Sequence, residues 1–167
     1  MSRFTGAWVA LKCMHETVES TAVIDGALDR VKIIMPRDFA MPEGGLNIRL
    51  NDPILAQEAR LNDYKRDAMI AFARANKLNR TIVSGGRKPR IGVITVGKSY
   101  LDVRQALDEL GLDEVKCNDL GLRLYKVGCP YPIGRADMLE FGEGLDLIIV
   151  VEEKRSLIEV QDRKSVV

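Results

Sequence analysis

Three short apolar runs, two of them rich in β-branched residues, follow Arg80, and each run ends at a glycine or an acidic residue: IGVITVG, LRLYKVG and DLIIVVE. Helix-like segments separate them, because YLDVRQALDELG follows the first run and ADMLEFGEG lies between the second and the third. Strands that alternate with helices in this way are typical of βαβ units, in which helices cover both faces of a mostly parallel sheet. The predicted fold class is therefore α/β, with a mostly parallel sheet flanked by helices, and residues 81–83 are a candidate edge strand.

The first 80 residues have a different pattern. Apolar residues recur at helical spacing from Phe4 to Val18, which predicts a helix. The run VKIIMP at residues 31–36 predicts a short strand that ends at proline. Asp52 and Pro53 form a suitable N-cap and first-turn pair for a long helix with one apolar stripe. We therefore expect three segments: an N-terminal helix and strand extension over residues 1–53, a long connecting helix over residues 54–80, and the α/β domain over residues 81–167.

Composition excludes several classes of function. The chain has 167 residues and a net charge of +1, and its aromatic content is only 5%. A protein that binds nucleic acid usually carries a strongly basic surface or aromatic stacking platforms, so no nucleic-acid partner is expected. The sequence contains no run of apolar residues long enough to span a membrane, so no membrane partner is expected either. The expected location is the cytoplasm.

Cysteine and histidine usage argues against a catalytic or metal centre. Cys13, Cys117 and Cys129 form no C-x-x-C pair, and His15 is the only histidine. This spacing fits neither a zinc site nor an iron–sulfur cluster, and a single histidine cannot form a multi-histidine metal site. From the sequence we therefore assign no catalytic residue and no metal ligand.

The stretch GVITVGKS, at residues 92–99, matches the G-x-x-x-x-G-K-[ST] pattern of phosphate-binding loops. All four residues between its glycines (Val93, Ile94, Thr95 and Val96) are β-branched, and the last of them is a valine at the turn itself. Such residues favour a strand and resist the left-handed conformations that a phosphate cradle requires. Only Gly97, Lys98 and Ser99 then form a turn, at the start of a helix that Ser99 can cap. We predict this turn as a possible anion or partner contact, and the competing interpretation is a solvated lysine on an ordinary βα turn.

Two further groups lie at the ends of predicted strands. Glu152, Glu153 and Lys154 follow the run LIIVV and form a possible strand-end polar cluster. This cluster suits the capping of the next helix better than a metal site. The stretch GCPYP, at residues 128–132, predicts a rigid loop that shapes a contact.

Longer stretches of the chain resemble an internal piece of the indolepyruvate ferredoxin oxidoreductases, which are thiamine-diphosphate-dependent 2-oxoacid:ferredoxin oxidoreductases. The matching words occur in the same order from Ser2 to about Glu159: SRFTGAWVALK, TVES, GGLNIR, LAQEARLNDYK, AFARANKLNR, GVITVGKSYLDVRQALDELG, LGLRLYKVG and VVEEKRSLIE. Long words in a fixed order are more specific than any short motif.

The resemblance implies a role for each segment. Residues 1–53 would be the tail of the pyrimidine-binding thiamine domain, residues 54–80 a connector, and residues 81–167 a domain like the C-terminal domain of transketolase. In this family, arylpyruvates such as indolepyruvate are oxidatively decarboxylated with coenzyme A, and electrons pass through iron–sulfur clusters to ferredoxin. The family also implies thiamine diphosphate, magnesium and a homo-oligomer.

Several parts of that family's machinery do not occur in this sequence. There is no G-D-G-type segment for diphosphate and magnesium, there are no cluster cysteines, and the glutamate that activates the cofactor is missing. The end VQDRKSVV also departs from the family, which suggests a truncated segment. We therefore expect that this segment binds no cofactor, that the isolated chain is inactive and that its partner is the rest of the parent chain. The competing hypothesis is a free-standing nucleotide- or anion-binding module that uses the turn at Gly97, Lys98 and Ser99.

Overall fold

The computed structural model describes residues 1–27 and 29–161. The chain divides into two compact units, Met1–Asn76 and Lys77–Val167. Within the described residues, no helix is both long enough and apolar enough to cross a bilayer.

The first unit contains short helices and one long one. Its helical segments are α1 (Ser2–Thr5), α2 (His15–Val18), α3 (Ile54–Arg60), a π-helical turn (Leu61–Lys65) and α4 (Arg66–Ala75). The last three follow one another without a break and form one helix from Ile54 to Ala75. Phe4 packs against Phe39 and Phe72, with ring centroids 5.6 and 5.7 Å apart. The small core of this unit therefore joins the chain start to the long helix.

Two expectations for the first unit are wrong. The predicted helix between Phe4 and Val18 is interrupted, because α1 ends at Gly6. This glycine adopts the left-handed conformation (φ 62°), and its N–H donates to the carbonyl of Ser2. Residues 31–36 form no strand. Instead, both backbone polar groups of Ile34 bond to the side chain of Asn76, at 2.9 and 2.8 Å. A strand needs a neighbouring strand to pair with, and the described residues of this unit supply none.

The long helix begins as predicted but ends at Ala75, five residues before the expected end. Lys77 has a positive φ of 51°, and a strand begins at Asn79. Asp52 does not cap the helix. Pro53, and not Asp52, occupies the N-cap position. The carboxylate of Asp52 instead binds Arg60, with 3.4 Å between Oδ2 and the guanidinium.

A helical turn begins at Ile158, and the other elements of the second unit, within the described residues, are four strands and three helices. They are β1 (Asn79–Ser84), β2 (Ile91–Val96), α5 (Ser99–Glu109), α6 (Glu114–Leu120), β3 (Leu122–Val127), α7 (Arg135–Gly142) and β4 (Leu147–Val151). The predicted edge strand at residues 81–83 is confirmed as part of β1.

The sheet has the strand order β1-β3-β2-β4. β2 pairs parallel with β3 and with β4, whereas β1 pairs antiparallel with β3 and shifts register between Thr81 and Val83. From β2 the chain crosses to its neighbour β3, and from β3 it crosses back past β2 to reach β4 on the other side. The helices of these two connections lie on opposite faces, as a constant crossover hand requires. The predicted α/β class is confirmed.

Two apolar cores cover the two faces of this sheet. On the face that we call the α7 face, the core contains Ile94, Tyr125, Val127, Ile133, Met138, Phe141 and Ile158. On the opposite face, which we call the α5 face, it contains Val83, Val93, Leu107, Cys117 and Leu124. Successive side chains along a strand point to opposite faces of the sheet, so β2 and β3 each contribute residues to both cores.

Candidate functional site

The phosphate-loop pattern at residues 92–99 does not fold as a phosphate loop. Its four intervening residues lie within β2, as predicted from their β-branched side chains. Gly92 faces the α7 core: a Cβ there would lie 2.4 Å from Leu145 Cδ1 and 2.8 Å from Phe141 Cζ. This glycine therefore makes room for packed side chains, and its backbone is not free to surround a phosphate.

The turn after β2 holds the three residues that the sequence singled out. Gly97 has a φ of 59°, and a Cβ there would meet no heavy atom within 4 Å. Lys98 Nζ lies 2.7 Å from Asp102 Oδ1, and both side chains are about half exposed. Such a surface ion pair contributes at most ~1 kcal/mol. An anion at this turn would therefore have to compete with Asp102 for the lysine.

Ser99 does not cap α5, contrary to the prediction. It is the first residue of the helix and is buried, while Lys98 occupies the N-cap position without a side-chain cap. The carbonyl of Lys98 accepts the N–H groups of Leu101 and Asp102. The tight turn at Gly97 starts the helix one residue earlier than the sequence pattern suggested.

The loop after β3 is fixed by two side chains from distant parts of the chain. Asn79 Oδ1 accepts the N–H groups of Gly128 and Cys129, at 3.0 and 2.8 Å, and its Nδ2 donates to the carbonyl of Cys129. Gln161 Nε2 donates to the carbonyl of Pro130 at 2.8 Å, and its Oε1 accepts from Ile133 N–H. The sequence analysis missed both residues. Each acts on a loop tens of residues away, and no local pattern signals such a contact.

This anchoring leaves Tyr131 on the outside of the loop with 66% of its surface exposed. The peptide bond between Tyr131 and Pro132 is cis. Cys129 lies partly buried behind it, and burial raises the pKa of its thiol. The loop therefore presents a tyrosine ring, and the thiol beside it stays protonated at neutral pH.

The residues after β4 serve the next helical turn. Glu152 accepts three backbone N–H groups with its carboxylate, from Leu157 (2.9 Å), Ile158 (2.7 Å) and Glu159 (3.2 Å). A carboxylate at the start of a helix satisfies N–H groups that have no partner inside the helix. Glu153 and Lys154 are exposed. The three residues thus do not converge on one centre, and Glu152 is used as a cap.

Beneath the turn, Thr95 is fully buried, and its hydroxyl has no hydrogen-bond partner among the described residues. Lys126, opposite Thr95 in the register with β3, places its Nζ 4.4 Å from the centre of the Tyr100 ring. The carboxyl edge of the sheet thus offers a paired lysine, a cation over an aromatic ring, and an exposed tyrosine. These groups suit contacts with another surface better than bond-breaking chemistry.

The described residues do not fit the metal and cluster cofactors that the resemblance implies. No group of three or more His, Cys, Asp or Glu within residues 1–27 and 29–161 could hold a metal ion. The sequence has three cysteines, one fewer than a four-cysteine cluster needs. Cys117 is buried in the α5 core, where its thiol donates to the carbonyl of Leu112, and burial raises its pKa.

Comparison with known proteins assigns the chain to a family. The family model of the indolepyruvate oxidoreductase domain matches residues 81–167, just over half of the chain. The chain belongs to this family. The indolepyruvate oxidoreductase subunit IorA of Pyrococcus horikoshii is 33% identical over 79 residues, as is that of Pyrococcus abyssi, and the Thermococcus kodakarensis subunit is 32% identical over the same length.

These alignments cover 47% of this chain and 11% of each relative, so the match accounts for about a ninth of the relatives' length. A solved structure is also similar: a 2-oxoglutarate:ferredoxin oxidoreductase from Magnetococcus marinus, with 2-oxoglutarate, coenzyme A and succinyl-CoA bound. It is 21% identical, covers 70% of this chain and 19% of that chain, and has a TM-score of 0.47. The family model and the IorA relatives confirm the resemblance to an indolepyruvate ferredoxin oxidoreductase segment.

Proposed function

We propose that this chain is a structural and interaction segment of a larger cytoplasmic, homo-oligomeric indolepyruvate ferredoxin oxidoreductase. The parent enzyme oxidatively decarboxylates arylpyruvates with coenzyme A and passes electrons to ferredoxin. In this proposal, residues 1–53 are the tail of the pyrimidine-binding thiamine domain, residues 54–80 the connector, and residues 81–167 the transketolase C-terminal-like domain. The family match over residues 81–167 and the IorA relatives support it.

The observation that carries the interaction role is the amount of apolar surface that the first unit leaves open. Its most exposed large apolar side chains are Trp8 (97%), Leu11 (87%), Val23 (103%) and Leu50 (97%). Exposed apolar surface on this scale marks a contact with another protein surface. In the proposal, that surface is the remainder of the thiamine-binding domain, whose sheet would also supply a strand partner for residues 31–36.

The donor groups of the described residues support a non-catalytic role for the segment. Its two buried or half-buried thiols are kept protonated by burial, and the only histidine, His15, binds Glu19 on the surface at 3.3 Å. In the proposal, thiamine diphosphate, magnesium and the iron–sulfur clusters are bound by other parts of the parent enzyme. We therefore propose that the isolated chain has no oxidoreductase activity.

The experiment that tests the proposal is an affinity tag added to the chromosomal copy of this sequence, followed by purification under anaerobic conditions. The expected product is much larger than 18.6 kDa, contains thiamine diphosphate and iron, and reduces ferredoxin when given indolepyruvate and coenzyme A. Phenylpyruvate and 2-oxoglutarate, tested in parallel, measure the preference for arylpyruvates. A product of 18.6 kDa without cofactors contradicts the proposal.

Calorimetry on the 167-residue chain separates this proposal from the nucleotide-binding alternative. We expect no heat of binding with thiamine diphosphate and Mg²⁺, and none with MgATP. Micromolar binding of MgATP that is lost in Lys98→Ala, and retained in the Lys88→Ala control at the other end of β2, would instead favour the anion-binding turn at Gly97, Lys98 and Ser99.

A further inference from the structure

A cavity of about 190 Å³ lies on the α5 face of the second unit, between β1, α5 and α6. Its apolar lining includes Val83 of β1, Leu107 of α5 and Cys117 of α6, which are all buried. Ile82 and Leu112 complete this lining. Protein interiors are close-packed, and a domain contains few voids larger than a water molecule. A cavity of this size is therefore an unusual feature, and it is large enough to hold a ligand.

An irregularity in β1 contributes to the shape of this cavity. The register with β3 shifts between Thr81 and Val83, and two successive residues, Ile82 and Val83, both pack on the α5 core. In a regular strand, successive side chains point to opposite faces of the sheet. Bulges re-aim side chains in this way and are frequent next to functional sites. The edge strand thus lines the cavity with two apolar side chains where a regular strand would supply one.

Hydrogen bonds between α5 and α6 hold the walls of the cavity in place. The N–H of Leu112 donates to the carbonyl of Leu107 at 2.8 Å and closes the end of α5. The carbonyl of Leu112 accepts the thiol of Cys117, and Asp113 Oδ1 accepts the N–H of Lys116 at 2.8 Å, which caps α6. The walls therefore cannot collapse without breaking these bonds. A pre-formed, mostly apolar cavity with a few polar groups is typical of small-molecule sites.

Charged residues surround the mouth of the cavity. The exposed residues of its lining are Arg104, Asp108, Asp113 and Glu114, so three carboxylates and one guanidinium give a net charge of −2. Asp113 already caps α6. In the described part of the chain, neither Asp108 nor Glu114 forms an ion pair. The mouth therefore attracts a cation, and the three carboxylates repel an anion that approaches Arg104.

We propose that this cavity binds a small organic ammonium ion whose apolar part is about the size of a benzene ring. The apolar part occupies the space beside Ile82, Leu107 and Leu112, and the ammonium group donates to the carboxylates of Asp108 and Glu114 at the mouth. An apolar cavity of ~150 Å³ is enough for benzene. The cavity is about 190 Å³ and leaves room for a carbon that carries the ammonium group. The inference does not rest on the proposed oxidoreductase role.

An NMR titration of the ¹⁵N-labelled 167-residue chain tests the inference with three ligands that share one ring and differ in charge. They are benzylammonium, benzyl alcohol and benzoate. Benzylammonium should shift the amide signals of Leu112 and Cys117 until they saturate, with a dissociation constant of about 1 mM, because so small a ligand cannot bind tightly. Benzoate should bind at least about tenfold more weakly, because the charge at the mouth repels it. Benzyl alcohol should lie between the two.

Two pairs of substitutions separate the cavity from the general charge of the surface. Asp108→Asn with Glu114→Gln should weaken the binding of benzylammonium by about tenfold and leave that of benzyl alcohol unchanged. The control, Glu109→Gln with Asp119→Asn, makes the same change in net charge on the same two helices but touches no residue of the lining, so binding should persist. All four residues are exposed, so the fold should tolerate these changes. Val83→Leu, which adds a methylene group to the floor, should weaken all three ligands.

Three results would overturn the inference. The first is the absence of a saturating shift with benzylammonium over a range that extends tenfold above the expected dissociation constant. The second is benzoate binding as tight as that of benzylammonium, because Arg104 would then decide which charge the site accepts. The third is an equal loss of benzylammonium binding in the cavity pair and in the control pair, because the net charge of the surface, and not this cavity, would then account for binding.

Discussion

The two units of this chain bury their apolar residues to different extents. The second unit makes its own sheet and covers each face with helices, so Ile94 and Leu124 are fully buried. The first unit packs Phe4 on its long helix but leaves Trp8 and Leu50 almost entirely exposed. The first unit therefore leaves apolar side chains exposed that a partner surface could bury. We expect the second unit to dominate the stability of the chain, while the first responds to partners.

The largest expected effect breaks the packing of the second unit. Leu124→Ala removes a fully buried side chain from the α5 core and should lower the free energy of unfolding by about 2–5 kcal/mol. The matched variant in the first unit is Leu11→Ala, which truncates a side chain that is 87% exposed and should change stability by less than ~0.5 kcal/mol. Urea unfolding followed by circular dichroism measures both. Equal losses in the two variants would show that Leu11 is buried in solution.

The same contrast explains what the sequence could predict. The strands of the second unit were predicted because each β-branched run finds its pairing partner within the same stretch of chain, as Val93 does with Leu124 and Ile149. The strand at residues 31–36 was wrong because strand formation depends on a partner, and the sequence pattern reports only the apolar character of the run. Propensity predicts a surface that can enter a sheet, and tertiary context decides whether it does.

The candidate site was less predictable than the fold. Lys98 and Glu152 could be found because they follow strands directly, but their partners, Asp102 and the N–H groups of residues 157–159, decide what they do. Asn79 and Gln161 were missed because the loop they hold lies about 50 and 30 residues away from them. An amide side chain has no local sequence signature for such a long-range role.

A smaller effect tests the close packing behind the phosphate-loop pattern. Gly92→Ala should cost about 1–3 kcal/mol, because its methyl group would overlap Leu145 and Phe141. The control is Gly26→Ala in the first unit, where a Cβ meets nothing within 4 Å, so the free energy of unfolding should stay level or rise slightly. Thermal melts compare the two. A Gly92 variant as stable as the parent would mean that Leu145 and Phe141 shift to accept the methyl group, so that the packing does not require glycine there.

Two asparagines offer a finer comparison, because each bonds to the backbone of a distant segment. Asn79→Ala removes three hydrogen bonds to the loop at Gly128 and Cys129 and should cost about 1–2 kcal/mol. Asn76→Ala releases Ile34, whose bonds are exposed, so water replaces them and the cost should be smaller. Hydrogen exchange at Cys129 should accelerate in the first variant alone, whereas the N–H of Gly128 keeps a second acceptor in the carbonyl of Leu78. A larger loss for Asn76 would show that residues 31–36 are more firmly held than their exposure indicates.

The mildest test changes no residue and compares the thiols of the two units. Cys13, in the first unit, is exposed, whereas Cys117 is 1% exposed and burial raises the pKa of its thiol. Only the thiolate reacts with iodoacetamide, so a raised pKa and loss of access both slow the reaction of Cys117. At neutral pH, mass spectrometry of peptides should find Cys13 labelled in the native protein and Cys117 labelled mainly after denaturant is added. If Cys117 is labelled as fast as Cys13 without denaturant, the second unit opens as readily as the first, and the distinction between a self-sufficient unit and a dependent one fails.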